Sequence, residues 1–195
     1  MIQYITKMAY ILAVAGRAGV GKSTVAKSVA SCNKGVILST DKLRSDDENM
    51  DLPKDAYSNI TGVKYIREKT YKILFNMAED LVAKGENVVA DATFETKAWR
   101  DELRRISLRT NTHCYIIEVI CSDKVTLKSR LKKRREEKKE STSWEVHLGQ
   151  SSYFEPIGED EKIATIDTAT TKDLNNTIEA IISGIIMPNE DRLYR

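Results

Sequence analysis

The sequence predicts an α/β fold in which a parallel β-sheet is covered on both faces by helices. Three observations predict it: short apolar runs alternate with segments of helical spacing, two of these runs end in an aspartate, and the first leads into a glycine-rich loop. Continuous apolar runs are typical of parallel strands, because both faces of such strands are buried. The chain has 195 residues, enough for one such domain, which we expect to span residues 1–195.

The predicted strands and helices follow in regular alternation. Five apolar runs are predicted strands: 9–15, 35–41, 87–93, 113–121 and 161–168. Apolar side chains three and four residues apart predict helices between and after them, over residues 21–32, 63–82, 96–109, from about 122 onwards, and within 170–186. Residues 43–62 are polar and irregular, which indicates a surface segment.

The composition excludes some classes of protein and leaves others open. The net charge of +2 carries no argument for a nucleic-acid or membrane partner. The N-terminal apolar run is too short to span a bilayer. Three scattered cysteines without a CxxC pair indicate reduced thiols. We therefore predict a cytoplasmic protein, and its oligomeric state stays open.

The stretch GRAGVGKST, residues 16–24, follows the first predicted strand and opens the first predicted helix. It fits the pattern G-x-x-x-x-G-K-[ST] of the phosphate-binding loop. Glycines let successive backbone N–H groups turn towards an anion, and the helix N-terminus behind them favours negative charge. A plain glycine turn is the alternative, but a chance match between strand and helix is rare. The predicted nucleotide-binding residues are Gly16, Arg17, Ala18, Gly19, Val20, Gly21, Lys22, Ser23 and Thr24.

Four side chains have predicted roles around the bound ATP. Lys22, which we also count as catalytic, reaches the β- and γ-phosphates, Ser23 ligates Mg²⁺, and Thr24 lies near the α-phosphate. Asp91 is the second magnesium candidate, because an aspartate that closes an apolar strand is typical of a Walker B site. For Asp91 the alternative is an ordinary turn residue at the end of a buried strand.

Asp41 and Arg44 are the predicted catalytic pair on the acceptor side. Asp41 closes the second predicted strand, at the edge where open α/β sheets bind ligands, and Arg44 lies one helical turn further. A carboxylate there accepts the proton of an incoming hydroxyl and orients its oxygen, while an arginine binds a phosphate. The alternative for Asp41 is a helix N-cap. The chain has no [NT]-K-x-D stretch, which argues against a GTPase.

A basic run, SRLKKRREEKK at residues 129–139, predicts a helical lid over about 130–148. Arg130 and Arg134 share a helix face there and could neutralise charge on the transferring phosphoryl group. A solvated helix with ordinary ion pairs is the alternative. The two histidines, His113 and His147, have no partner at metal-ligand spacing, so they predict no metal site.

The stretches GRAGVGKST, STDKLR, VVADATF, KSRLKKR and FEPIGEDE together resemble the AAA_33-type P-loop kinases, relatives of the kinase domain of 5′-polynucleotide kinases and of zeta toxins. The resemblance extends from about residue 10 to about residue 168. It implies a three-layer P-loop NTPase fold with a parallel five-stranded sheet, order 2-3-1-4-5, and a helical lid. It also implies that Asp41 activates the acceptor hydroxyl, that Arg44 contacts substrate or phosphate, and that a catalytic arginine lies in the lid, with Arg130 and Arg134 as the candidates.

These observations predict an ATP- and Mg²⁺-dependent kinase that transfers the γ-phosphoryl group to a hydroxyl of an undetermined acceptor. The expected partner is a small molecule or a nucleic acid that bears a hydroxyl, and no membrane. Two alternatives stay open: a 5′-hydroxyl polynucleotide or RNA kinase, and a regulatory module that binds ATP without turnover. We expect acceptor specificity to lie in residues 43–62.

Overall fold

The structure, a computed structural model, describes residues 9–45, 60–138 and 144–186. Helices separate the strands as predicted, with two helices after β2 and two after β4. The strands are β1 (Tyr10–Ala15), β2 (Val36–Ser39), β3 (Val88–Asp91), β4 (His113–Ile120) and β5 (Ala164–Asp167). The helices are α1 (Lys22–Asn33), α2 (Thr40–Ser45), α3 (Ile60–Ala83), α4 (Lys97–Arg109), α5 (Lys124–Lys138), α6 (Trp144–Ser151) and α7 (Leu174–Ile186).

The five strands are parallel and form one sheet in the order β2-β3-β1-β4-β5. The fold and strand order that the family resemblance implied are therefore confirmed. At the carboxyl edge of the sheet, Asp91 of β3 pairs in register with Val14 of β1 on one side and with Ser39 of β2 on the other. The loops that follow these three strands consequently emerge side by side.

Burial on both faces explains why β1 is an unbroken apolar run. Alternate side chains of a strand point to opposite faces of the sheet. Ile11 and Ala13 belong to the core cluster that includes residues of α3 and α4, whereas Leu12 and Val14 belong to the cluster that includes residues of α1, α5 and α7. The sheet is thus the middle layer of three.

The second predicted strand, 35–41, is shorter than expected. β2 ends at Ser39, and the next six residues form the short helix α2, in which Thr40 and Leu43 are buried on one side. Asp41 therefore lies in the first turn of a helix rather than at the end of a strand. The turn of helix between Asp41 and Arg44 is confirmed.

Two predicted regions fall partly outside the described residues. The structure describes only 43–45 and 60–62 of the segment 43–62, and only 130–138 and 144–148 of the predicted lid. Within the ranges that the structure describes, no helix is both long and apolar enough to cross a membrane. A single domain over 1–195 and a cytoplasmic location stay predictions.

Candidate functional site

The glycine-rich loop lies between β1 and α1, where the motif requires it. α1 begins at Lys22, and its N-cap residue Gly21 has a φ of 101°. Gly19 has a φ of 82°, and a Cβ atom built on it would lie 2.7 Å from Cδ2 of Leu131 in α5. Only a residue without a Cβ adopts this backbone next to that leucine without strain. Residues 16–24 thus form a turn that leads into the positive end of α1.

The Lys22 ammonium lies within this turn. Its Nζ donates a hydrogen bond of 3.0 Å to the backbone carbonyl of Arg17. Burial lowers the pKa of Lys22, and the nearby carboxylates of Asp91 and Asp41 oppose that effect. The structure thus places Lys22 within electrostatic range of both aspartates that the sequence singled out.

Asp91 ends β3 behind the loop and is 5% exposed. The hydroxyls of Ser23 and Ser39 lie close enough to its carboxylate to stabilise the charged form. Burial raises the pKa of Asp91, and the charge of Lys22 and the Ser23 hydroxyl oppose the rise. The two predicted magnesium residues, Ser23 and Asp91, therefore lie beside each other in the wall of one cavity.

These oxygen atoms have the chemistry of a magnesium site. Ser23, Ser39, Asp41 and Asp91 line one cavity of about 500 Å³. Mg²⁺ is usually held by one or two carboxylates, phosphate oxygens and waters rather than by a complete protein cage. Within the ranges that the structure describes, no three His, Cys, Asp or Glu side chains form such a cage. The donor set fits a magnesium ion that takes its other ligands from a nucleotide and from water.

Asp41 faces the loop from α2 and is paired with two arginines. Its carboxylate accepts a hydrogen bond from Arg44 on the same helix and one of 2.6 Å from Nη2 of Arg134 in α5. Burial raises the pKa of Asp41, but the charges of these arginines and of Lys22 hold it below its ordinary value. The N-cap alternative does not describe Asp41, because α2 already begins at Thr40.

The two lid arginines do not act on the same group. Arg130 donates hydrogen bonds of 2.7 Å to Oγ1 and 3.1 Å to the carbonyl of Thr168, just after β5. Thr168 in turn donates to the carbonyl of Val20 in the loop, at 2.6 Å. One turn of helix separates Arg130 from Arg134, and the structure brings only Arg134 to Asp41. Arg130 is instead attached, through Thr168, to the far side of the loop.

Helix α6 binds the loop through contacts that no sequence signal indicates. Gln150 accepts a hydrogen bond of 2.8 Å from the backbone N–H of Ala18, and Nδ1 of His147 lies 2.8 Å from the Ala18 carbonyl oxygen. Arg17 donates a hydrogen bond to the Ser151 hydroxyl. Burial lowers the pKa of His147, so the neutral ring donates through Nδ1 at pH 7. His147 is therefore a loop contact, although the sequence predicts only that it holds no metal.

A cavity of about 550 Å³ opens beside Lys22 and Asp41, and we call it the Arg67 cavity. Much of its wall comes from residues that the sequence did not single out. α3 contributes Arg67 and Tyr71, the turn after β3 contributes Glu95, and Tyr153 follows α6. Glu95 lies four residues after Asp91, so the sequence could have placed it at the carboxyl edge of the sheet. For the other three no motif exists.

The predicted location of acceptor specificity, residues 43–62, is only partly represented at this cavity. Arg44 lines it, whereas residues 46–59 lie outside the described ranges. The described wall is completed by Val63 and Ile66 of α3, just beyond the predicted segment. The cavity therefore draws on α3 as well as on the segment named from the sequence.

A family model described as an AAA domain, AAA_33, matches residues 11–157. The chain belongs to this family. A comparison with curated proteins found no match. Membership confirms the resemblance that the five sequence stretches carried, and the matched range covers the loop, Asp41, Asp91 and both lid arginines.

Three solved structures illustrate the fold. A candidate kinase from Chloroflexus aurantiacus has a TM-score of 0.71 at 15% identity, over 91% of this chain and 98% of its own. Kti12 from Chaetomium thermophilum, solved with ADP-AlF3, has a TM-score of 0.66 at 13% identity, over 91% and 99%. The APS kinase CysC from Mycobacterium tuberculosis, solved with AMPPNP and APS, has a TM-score of 0.63 at 16% identity, over 93% and 99%. At these identities the likeness shows the fold alone.

Proposed function

We propose that this chain is a kinase that binds ATP and Mg²⁺ at residues 16–24 and transfers the γ-phosphoryl group to a hydroxyl of an acceptor in the Arg67 cavity. The observation that carries the proposal is the position of Asp41, an ionised carboxylate that lines this cavity together with Lys22. The γ-phosphate of an ATP bound on the loop and an acceptor hydroxyl beside Asp41 would then be adjacent. Membership of the AAA_33 family and the likeness to two nucleotide-bound structures, the APS kinase CysC and Kti12, support the proposal.

In the proposed reaction, the acceptor oxygen attacks the γ-phosphorus in line with the bond to the β–γ bridging oxygen. One P–O bond forms, the bond to the bridging oxygen breaks, and ADP leaves with the electron pair. The proton of the acceptor hydroxyl passes to the Asp41 carboxylate and then to water. Because its pKa is held low, Asp41 stays ionised at neutral pH, so its main contribution is to orient the hydroxyl rather than to act as a strong base.

Positive charge around the transferring group stabilises the transition state. The backbone amides of residues 16–24 and the Lys22 ammonium hold the β- and γ-phosphates. Nη2 of Arg134 is 2.6 Å from Asp41. From this position Arg134 would contact the γ-phosphoryl group as the group moves towards the acceptor hydroxyl at Asp41. When bound, Mg²⁺ neutralises charge on the phosphate oxygens, and Ser23 and Asp91 are the residues that would hold it.

Replacement of Lys22 tests nucleotide binding. Lys22→Met removes the buried ammonium, and we expect ATP to bind at least about tenfold more weakly, because a charge-assisted contact to phosphate is lost. Isothermal titration calorimetry with ATP and MgCl₂ measures it. Lys72→Met, at an exposed position on α3, is the matched control and should bind as the wild type does. A wild-type protein that shows no heat with ATP or any other nucleoside triphosphate would refute the proposal.

Replacement of Asp41 separates chemistry from binding. Asp41→Asn keeps the shape of the side chain but removes the negative charge that orients the acceptor hydroxyl and takes its proton, so we expect transfer of labelled phosphate to be lost while ATP affinity is kept. The assay is a screen of metabolites and 5′-hydroxyl oligonucleotides with γ-labelled ATP. Tight ATP binding by the wild type without a phosphorylated product across the screen would instead support a regulatory ATP-binding module.

A further inference from the structure

The described wall of the Arg67 cavity carries more positive than negative charge. Its charged side chains are four cations and two carboxylates, namely Lys22, Arg44, Arg67, Arg134, Asp41 and Glu95. Two of the cations, Lys22 and Arg134, lie beside the loop, where the proposed nucleotide places its own negative phosphates. Of the other two cations, Arg44 is paired with Asp41 on the same helix, and Arg67 lies on α3, where an acceptor could supply the matching negative charge.

Glu95 makes the position of Arg67 unusual. The side chain of Glu95 is 4% exposed and that of Arg67 is 36% exposed. Nη1 of Arg67 is 3.1 Å from Oε1 of Glu95. The Tyr71 hydroxyl donates to the other carboxylate oxygen, also at 3.1 Å. A buried carboxylate is costly unless it is paired and hydrogen-bonded. Glu95 therefore holds the guanidinium through Nη1, and Arg67 lines the cavity.

The remaining donors of Arg67 are poorly used by the described part of the chain. An arginine has five N–H donors in a planar fork. Apart from the pair with Glu95, the described contacts of Arg67 are a long hydrogen bond of 3.5 Å to the Tyr153 hydroxyl and a cation–π contact, 5.3 Å from the Tyr153 ring centre. A guanidinium that lines a cavity, is paired with a carboxylate and a ring, and keeps donors that the described residues do not use is suited to bidentate binding of a carboxylate or phosphate.

We propose that the acceptor is a small hydroxyl compound that also carries an anionic group, a carboxylate or a phosphate, and that Arg67 binds this group. The proposal rests on the proposed kinase function and specifies its substrate class. A cavity of about 550 Å³ is of the size that encloses a small ligand. One fixed guanidinium recognises one anionic group, which favours a small molecule over a nucleic-acid backbone. Neutral polyols and sugars lack the group that Arg67 requires.

The test uses the full chain saturated with AMPPNP and Mg²⁺, so that the loop is filled before other anions are added. Malonate, inorganic phosphate, neutral glycerol and a 5′-hydroxyl oligonucleotide are then titrated and followed by calorimetry. The variant is Arg67→Gln combined with Glu95→Gln, because a single replacement would leave a buried charge unpaired and could unfold the protein. The matched control is Arg105→Gln combined with Glu102→Gln, which removes a surface ion pair of 2.9 Å on α4.

We expect malonate or phosphate to bind the wild type and the surface control, and to bind the Arg67/Glu95 variant at least about tenfold more weakly, because charge-assisted hydrogen bonds are lost. Glycerol should bind more weakly than either anion to the wild type and to the surface control, and this preference for anions should be lost in the Arg67/Glu95 variant. Equal anion affinity in the variant, no anion binding by the wild type, or binding of the oligonucleotide alone would each overturn the inference. Failure of AMPPNP to bind would instead refute the kinase proposal on which it rests.

Discussion

The two ends of the proposed active site are built in different ways. The phosphate end is one continuous stretch, residues 16–24, whose path depends on glycines with positive φ. The acceptor end brings together Arg67 of α3, Glu95 after β3 and Tyr153 after α6, which are far apart in the sequence. A local backbone shape thus makes one end, and tertiary packing makes the other. We therefore expect substitutions at one end to leave the binding function of the other end unchanged.

A buried arginine holds the acceptor end in place. Arg100 is 1% exposed, and each of its five N–H donors has a partner. Two bind the Glu161 carboxylate, at 3.1 and 3.0 Å, and three reach the carbonyls of Phe94, Glu155 and Pro156. Phe94 directly precedes Glu95, so this network fixes the turn that carries Glu95. The acceptor end accordingly depends on a residue outside the cavity.

The largest effect is expected from breaking this network. Arg100→Met takes the principal partner from the buried Glu161 carboxylate, and we expect the free energy of unfolding to fall by about 3–5 kcal/mol. Urea denaturation measures it. Arg105→Met, on the same helix but with a side chain that is 61% exposed, should cost less than about 1 kcal/mol. If the still-folded Arg100 variant also lost ATP affinity, the two ends would form one unit and the comparison would fail.

The stabilisation that Arg100 and Glu161 provide depends on pH. Although burial opposes it, the contacts with Arg100, the Gly158 N–H and Arg104 lower the pKa of Glu161 from 4.5 to about 2. Because the folded pKa is the lower one, the stabilisation is complete above about pH 4.5 and is lost as the pH falls towards 2. The stability difference between the wild type and Glu161→Gln should therefore shrink over this range. A difference that stays constant down to pH 2 would contradict the assignment.

An intermediate effect is expected at the phosphate end. Gly19→Ala places a Cβ against Leu131 on a backbone with a φ of 82°. Strain of this kind costs on the order of 1–3 kcal/mol. We therefore expect ATP to bind at least about tenfold more weakly, which calorimetry measures. Gly85→Ala is the control, because its φ of 84° is nearly the same but no atom lies within 4 Å of the new Cβ. It should lower stability slightly and leave ATP affinity unchanged.

The smallest effect concerns the contact between α6 and the loop. Gln150→Leu removes the acceptor for the Ala18 N–H, and loss of one such hydrogen bond costs about 1 kcal/mol. We expect about fivefold weaker ATP binding. Ser152→Ala is the control, because the exposed Ser152 hydroxyl donates to the carbonyl of Gly149 in α6 and not to the loop. Tighter ATP binding in Gln150→Leu would show the opposite: that Gln150 competes with phosphate for this N–H.

The outcome at α5 shows where prediction from spacing stops. Arg130 and Arg134 are four residues apart, and helical spacing correctly puts both on one helix. Yet a side chain of arginine length reaches whichever acceptor the fold brings near, and here these are Thr168 for one and Asp41 for the other. His147 shows the same limit in reverse, because its partner Ala18 is distant in sequence and is a backbone group without any residue signature.

By itself, the sequence determined the α/β fold, the phosphate-binding loop and the neighbourhood of Asp41 and Asp91. Apolar strand runs, glycines that permit positive φ and strand-end aspartates are all local features, and parallel strands necessarily bring their carboxyl ends to one edge. The tertiary structure alone decided which side chains complete the site. Arg67, Tyr153 and Gln150 come from separate elements, and their meeting depends on how helices pack on the sheet, which no short stretch of sequence encodes.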